Sequence, residues 1–470
     1  MKKNFRYILA FLLIGVISSC KDYFDLDNNP NLVVNPPLNS LLSTTTQKTG
    51  LNSQTVADIT SYFVQYLANP GAGGSTDTYQ ITDYTTTWDT LYLAMADIYD
   101  MKAKALAEGS SEHVGVANIL MSYNLTLVAD MFGDAPYSEA FAATTLTPKY
   151  DPDEELYTES LRLLDEAVVE LAKTDSRVHL SASDDFIHHG NVANWVKTAY
   201  ALKARLLNKV SKKPNYNPAA VLEAISLSYT SNADDAQMSG FLGLNPWASI
   251  ALDNSQLILD GWLSEQFMEH INGVSYGVLD PRIAKITDKT VNGDYKGTPN
   301  GVGNVGPGTN TVKDETYITR NSPLTSDAAP LILVSFAELK MIEAEAQLRL
   351  ANPTAAHAAY LAGITAHMNK LGVTPAESDA YLASAAVSTS PATFTIDHIF
   401  QEKFIITYLN PEAWNDARRY DYKYKNFTLP ANAALPTFIR RVAYPVGETS
   451  KNGPNVPTVS SLAEKVWWDE

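Results

Sequence analysis

Cysteine is nearly absent from this chain: of 470 residues only Cys20 is one, so no internal disulfide can form. Long apolar runs are scarce too. After Ile8–Ile17 no stretch approaches the roughly 20 apolar residues that would span hydrocarbon. Basic residues are few, 35 Lys and Arg against 52 Asp and Glu, giving a net charge of −17. Such an acidic chain repels phosphate backbones and anionic lipid, which argues against nucleic acid as a partner and against adhesion to membranes by charge. The eight histidines include no H-E-x-x-H and no helical pair four apart, so no zinc site and no metal are expected.

What is present begins at the N-terminus. Lys2, Lys3 and Arg6 form a basic head, Ile8–Ile17 an apolar stretch, and Ser18-Ser19 a small-residue cut site. This is a secretory signal, and Ile17-Ser18-Ser19-Cys20 matches a bacterial lipobox, in which the cysteine is acylated. Cys20 is therefore the expected lipid attachment point, with residues 1–19 removed. Those residues carry three basic groups and no acidic one, so the mature charge becomes −20. Residues 20–40, with Asp25, Asp27, Asn28, Asn29 and Pro30, read as an irregular tether. Residues 41–470 read as one domain.

Apolar residues then recur at helical spacing, in pairs. Leu91, Ala94, Ile98, Met101 and Ala105 are followed by Val116, Leu120, Tyr123, Leu127 and Met131. Tyr157, Leu161, Leu164, Val168 and Leu171 are followed by Trp195, Ala199, Leu202, Leu206 and Val210. Phe336, Leu339, Ile342, Ala346 and Leu350 precede Tyr360, Ile364, Met368 and Leu371. One apolar face per helix, repeated in pairs, predicts an all-α scaffold of tetratricopeptide-like helix pairs. Residues 228–330 break the pattern: eight of the sixteen from Gly293 to Gly308 are Gly or Pro. Long irregular segments in compact domains are often functional. This insertion holds Trp247, Tyr276, Tyr295 and Tyr317, and a second irregular stretch, 69–90, holds Tyr79 and Tyr84. These six are the candidate ligand platforms, whereas Trp88 is expected to pack under its helix.

Several motif-like strings fail on context. Gly273-Val274-Ser275-Tyr276-Gly277 fits the G-x-S-x-G of a nucleophilic serine, but Pro281 opposes a helix close behind it. Gly301–Gly306 fits G-x-G-x-x-G, yet Pro307-Gly308 follows where a phosphate-holding helix would have to open. Asp25, Asp27 and Asn29 imitate a calcium loop with Pro30 in the glycine position. His188-His189 reads as a surface turn with diverging side chains. Glu343 and Glu345 are ordinary helix carboxylates. No catalytic residue, cofactor or enzymatic activity is expected.

The strings that do add up do so in order. They are the lipobox with Asp25–Asn31; Asp130-Met131-Phe132-Gly133-Asp134-Ala135-Pro136-Tyr137; Trp195-Val196-Lys197 with Leu202–Arg205; Asp280-Pro281-Arg282; Ser335–Lys340 with Ala344-Glu345-Ala346; Tyr360–Thr365; Glu412–Arg419; and Arg440–Pro445. From residue 1 to about 457 the chain resembles the SusD/RagB family of surface nutrient-binding lipoproteins, nearest its SusD-like branch. The resemblance implies a helical scaffold capped by an irregular ligand-binding face. It also implies docking on a TonB-dependent, SusC-like outer-membrane transporter that imports glycans or, in some members, peptides. Family ligand residues come mainly from the segments that correspond to 69–90 and 240–320. Lys21-Asp22 partly matches the export tag that sends such lipoproteins to the cell exterior. The Trp414 and Arg418-Arg419 string is expected to serve packing and ion pairing. The expected function is glycan binding without catalysis; the alternative is an envelope repeat scaffold that holds proteins or peptides.

Overall fold

More than half of the first helix is Ser, Thr, Asn or Gln, so no apolar stripe announces it, yet it runs for 26 residues as α1, Leu38–Phe63. The computed structural model describes residues 35–255, 261–305 and 313–470. The signal, Cys20 and Asp25–Asn31 lie outside the described residues. α1 buries Thr45, Thr46, Thr49, Asn52, Ser53 and Thr60. The hydroxyls of Thr45, Thr46 and Thr60 donate to carbonyls four residues back, at 2.8, 2.7 and 2.9 Å. Asn124 Nδ2 reaches Thr49 Oγ1 at 2.8 Å, and Ser53 Oγ meets the Tyr123 hydroxyl at 2.7 Å. Polar groups satisfied in this way can enter a core at little cost.

The expected stripes form the next helices: α2 Thr85–Glu108, α3 Ser111–Phe132, α4 Asp153–Leu171 and α5 Val192–Lys209. α6 Pro218–Ser226 follows α5. Start and stop chemistry is local. Asn191 and Asn217 cap α5 and α6 with their side-chain oxygens, and Gly109 ends α2 at φ 71° in the left-handed region. α3 is enclosed rather than one-faced. It packs on α1, α2 and above all α4, so nearly all its residues are buried. By length and hydropathy it is the one described helix that could cross a membrane, but that apolar surface is spent inside the fold. The packing also reassigns a pair: α4 contacts α3 more extensively than α5, so the helices form a continuous layered array.

The insertion is less irregular than its composition suggests. It holds α7 Pro246–Ser255, α8 Glu265–Ile271 and the single turn α9 Ile283–Ile286. Two short antiparallel ladders join it to the scaffold. β1 Leu67–Ala68 pairs with β3 Trp262–Leu263, and β2 Ala236–Met238 pairs with β4 Leu331–Val334. β4 leads into α10 Phe336–Arg349, capped by Ser335, and α10 packs on α11 Pro353–Leu371. α12 Pro375–Leu382, α13 Ile396–Ile406, α14 Glu412–Arg419 and α15 Val446–Lys451 complete fifteen α-helices among the described residues. The fold is all-α, a tetratricopeptide-like array with no closed sheet among the described residues.

Buried ion pairs lock the array. Arg205 pairs with Glu338 at 2.6 Å, and Lys403 with Asp416 at 2.8 Å. Arg419 pairs with Glu345 and Asp416, at 2.9 and 2.8 Å. Burial disfavours the Glu345 carboxylate, but Arg419 and Arg349 outweigh it and hold its pKa far below the usual range. The Arg418 guanidinium lies 3.7 Å from the centroid of the Trp414 ring. The Trp414 and Arg418-Arg419 string thus does the structural task expected of it.

Candidate functional site

The six candidate aromatics divide by burial. Tyr79 and Trp247 are only 1% and 2% exposed, and Tyr84 is buried too. The Tyr79 ring sits edge-on to Phe63, with centroids 6.2 Å apart, and its hydroxyl donates to the Phe63 carbonyl at 3.4 Å. Asn245 accepts the Trp247 backbone N–H at 2.7 Å. These three were expected as platforms, but their rings are committed to the core and offer no open face. Trp88 is buried as expected, though it lies within the first turn of α2 itself, against Tyr92 and Phe132 at 4.7 and 4.9 Å. Tyr276, Tyr295 and Tyr317 are half-buried, each with surface left to offer.

The insertion places those three along one run of loops. α8 ends at Ile271, and the loop Asn272–Asp280 separates two open clefts. On one side Tyr276, Gln401, Tyr420, Tyr424, Lys423 and Lys425 line about 420 Å³. On the other, Leu279, Pro281, Lys289, Tyr295 and Tyr381 line about 490 Å³. Asn272 Nδ2 donates to the Tyr295 carbonyl at 3.0 Å, so the two loops are tied. Further along, Thr287 donates to the Tyr317 carbonyl at 2.9 Å, and the Tyr317 ring lies against the buried Trp262 at 5.9 Å.

Beneath the Tyr295 cleft lies a fully buried charged group. Arg282 reaches Asp280 at 2.5 Å and Glu402 at 2.6 Å, while the Tyr381 hydroxyl donates to Glu402 at 2.9 Å. Burial works against the Arg282 charge, but the two carboxylates outweigh it and raise its pKa. Burial pushes the Glu402 carboxyl up despite Arg282. Next door, His270 Nε2 donates to the Gln401 carbonyl at 2.9 Å, and burial lowers its pKa to about 4.

The motif-like strings resolve on the same loops. The Gly301 N–H is taken by the Asp77 carboxylate, whose pKa burial pushes up to about 6. A protein carboxylate thus stands where a phosphate-holding loop would need a free donor. Ser275 is buried, follows a helix rather than a strand, and its Oγ accepts from Asn426 at 3.4 Å. His189 is exposed, but His188 is not the surface residue expected. Its ring packs edge-on to Trp195, and Nε2 lies 2.6 Å from Thr198 Oγ1. Among the described residues no three His, Cys, Asp or Glu side chains converge as a metal site.

Sequence reasoning passed over a second aromatic cleft. Tyr92 and Tyr99 stand one above the other on α2, and Phe141 stacks near both, at 6.3 and 5.7 Å. Tyr92 and Phe141, with Leu93, Pro136, Pro148, Glu448 and Lys451, border about 490 Å³, and Tyr99 stacks on Phe141 at the edge of that cleft. The signal was the seven-residue spacing of Tyr92 and Tyr99; what was missing was Phe141, which only the fold brings alongside.

A helical-repeat scaffold carrying a loop-built, aromatic-lined face defines the class of protein. The chain belongs to the SusD-like family described as starch-binding, associating with outer membrane, whose model matches residues 29–445. Among solved structures it is similar to a SusD/RagB family protein from Bacteroides thetaiotaomicron, at 21% identity and TM-score 0.77, covering 93% of this chain and 99% of that one. A chitin-binding SusD homolog from Flavobacterium johnsoniae is 24% identical with TM-score 0.77, over 91% of this chain and 98% of that one. A SusD homolog from Bacteroides fragilis is 20% identical with TM-score 0.73, over 93% and 100%. No curated protein matches the chain in sequence.

Proposed function

We propose that this protein is a non-catalytic surface lipoprotein that binds glycans and delivers them to a TonB-dependent, SusC-like outer-membrane transporter. Lipid on Cys20 would hold it on the outer membrane, facing the cell exterior. One observation carries the glycan reading: Tyr276 and Tyr295 lie half-exposed on connected insertion loops, each lining an open cleft, and Tyr317 is half-exposed further along the same insertion. An aromatic face suits the C–H groups of a sugar ring, and the tyrosine hydroxyls can bond its oxygens. Tyr79, Tyr84 and Trp247 take part by holding the supporting loops in place. The name of the chitin-binding relative favours the same ligand class. The test is titration of the mature protein with oligosaccharides, wild type against Tyr276→Ala/Tyr295→Ala. We expect at least about tenfold weaker binding in the variant, with the fold kept. Unchanged binding would move the site elsewhere.

The scaffold reading also has its observation. Leu93 and Leu106 on α2 are each 59% exposed, and Tyr99 is 41% exposed. Such apolar surface suits a protein partner. Retention of transporter by wild type but not by Leu93→Glu/Leu106→Glu would assign that face to docking. Partners without any saccharide binding would favour the scaffold reading over the glycan one.

A further inference from the structure

All three half-exposed insertion tyrosines share a feature that glycan binding alone does not require. Each has a lysine ammonium over its ring: Lys425 at 5.4 Å from the Tyr276 centroid, Lys289 at 5.8 Å from Tyr295, and Lys313 at 4.5 Å from Tyr317. The lysines come from different loops, so three separate pieces of backbone converge on the same pairing. Of the three, only Lys313 has an ion-pair partner among the described residues, Asp288, and at 3.9 Å that contact is long. Lys423, 69% exposed, adds a fourth ammonium to the Tyr276 cleft.

Local charge departs from that of the chain. Residues 272–320 hold six basic and five acidic side chains, against 35 and 52 in the whole sequence. Of those five acids, Asp280 is engaged by Arg282, Asp294 by Thr290, and Glu315 by Thr298 and Lys296. Of the six bases, Arg282, Lys296 and Arg320 are likewise paired, and Asp397 and Glu377 also line the clefts; the cations placed at the rings are Lys289, Lys313 and Lys425.

A ring face cannot hold an ammonium and a sugar together. A neutral sugar that stacks on Tyr276, Tyr295 or Tyr317 displaces the lysine and offers it only neutral hydroxyl acceptors, with no opposite charge in exchange for the ring face. A sugar bearing a carboxylate or sulfate also displaces it, but then offers the ammonium an anion at the rim, within reach of a flexible four-carbon stem. The pairing thus discriminates by charge. Resting on the glycan reading above, we infer that the ligand of this face is an anionic saccharide, its uronate or sulfate groups paired with Lys289, Lys313 and Lys425 while its rings lie on the three tyrosines.

The experiment titrates the mature protein by calorimetry with oligogalacturonate, with sulfated chondroitin oligosaccharides, and with neutral malto- and chito-oligosaccharides, at 50 and 500 mM salt. We expect an acidic saccharide to bind at least about tenfold more tightly than the neutral ones at low salt, and to lose most of that advantage at high salt. Which acidic arm binds, the uronate or the sulfate ester, identifies the anion. Lys289→Gln/Lys313→Gln/Lys425→Gln should erase the preference. The same charge change at Lys173, Lys203 and Lys465 should not, which separates local pairing from net charge. Neutral binding that matches or exceeds acidic binding and ignores salt would overturn this inference and leave the glycan reading standing. Absence of binding to every saccharide would overturn both. Circular dichroism confirms that the lysine variants remain folded.

Discussion

Arg282 Nη2 lies 2.6 Å from Glu402 Oε2, across 120 residues of sequence, with both side chains shut off from solvent. The pair fastens α9 of the insertion to α13 of the scaffold, directly under the Tyr295 cleft. Removing one partner of a buried pair leaves the other charged and unpaired. Glu402→Ala should therefore cost about 3–5 kcal/mol in denaturant unfolding. Glu402→Gln, which keeps a hydrogen-bond acceptor for Tyr381, should cost less. A Glu402→Ala loss near that of a surface substitution would show that the pair does not hold the insertion.

His270 gives the fold an acid sensitivity. Its native pKa of about 4 lies below the ordinary value of 6.5, because burial penalises the charged ring. Between these values the unfolded chain binds a proton that the native chain refuses, so stability falls as pH drops from 6.5 towards 4. The contribution approaches about 3 kcal/mol by pH 4. Asp77 and Asp153, both raised to about 6 by burial, act in the opposite sense: their stabilisation is full at low pH and is lost as pH rises through 6. The informative quantity is therefore the difference between wild type and His270→Phe. That difference should move in favour of the variant on acidification, and a pH-independent difference would refute the assignment.

Burial divides the candidate tyrosines and tryptophan into two groups. Tyr79→Ala and Trp247→Ala empty core positions and should each cost about 3–5 kcal/mol. Tyr276→Ala and Tyr295→Ala remove half-exposed rings and should cost roughly 1 kcal/mol while weakening saccharide binding. Thermal melts run beside binding titrations distinguish the two classes. A binding loss in Tyr79→Ala at unchanged melting temperature would return that residue to the ligand site.

Gly301 is fixed by backbone packing. A Cβ there would lie 1.9 Å from the Ala431 carbonyl oxygen, and φ is +79°. Gly301→Ala must shift the loop that supplies Asp77 with an N–H. We expect a loss of a few kcal/mol and easier proteolysis between residues 293 and 313. A variant as stable and as protease-resistant as wild type would contradict that packing.

On the proposed lipoprotein reading, Cys20→Ser removes the acylation site and leaves the basic head and apolar run of the signal intact. Export should continue, and the protein should then fractionate as soluble, because a charge of −20 offers no grip on anionic lipid. On the proposed function, glycan import should fall as well, since the tether would no longer concentrate the protein near a transporter. A Cys20→Ser protein that stays in salt-washed membranes would mean that protein contact, not lipid, retains it.

Local order was written in the sequence. The stripes of α2, α3, α5 and α11 step by three and four, and Leu91–Ala105, Val116–Met131 and Tyr360–Leu371 are buried where that spacing put them. A helix stripe depends on residues one turn apart, so a short window contains its cause. α1 has no such stripe: its Thr, Ser and Asn side chains enter the core because Tyr123 and Asn124 of α3 supply their partners from 70 residues away. No window of α1 contains that information. The same limit applies to the site. The insertion was recognisable from its glycines and aromatics, and Tyr276, Tyr295 and Tyr317 lie on its open loops. Aromatic rings, however, serve equally as core filling and as ligand surface, so composition could not tell Tyr79 from Tyr295. Tertiary packing made that choice, by closing Phe63 over one ring and leaving a cleft beside the other.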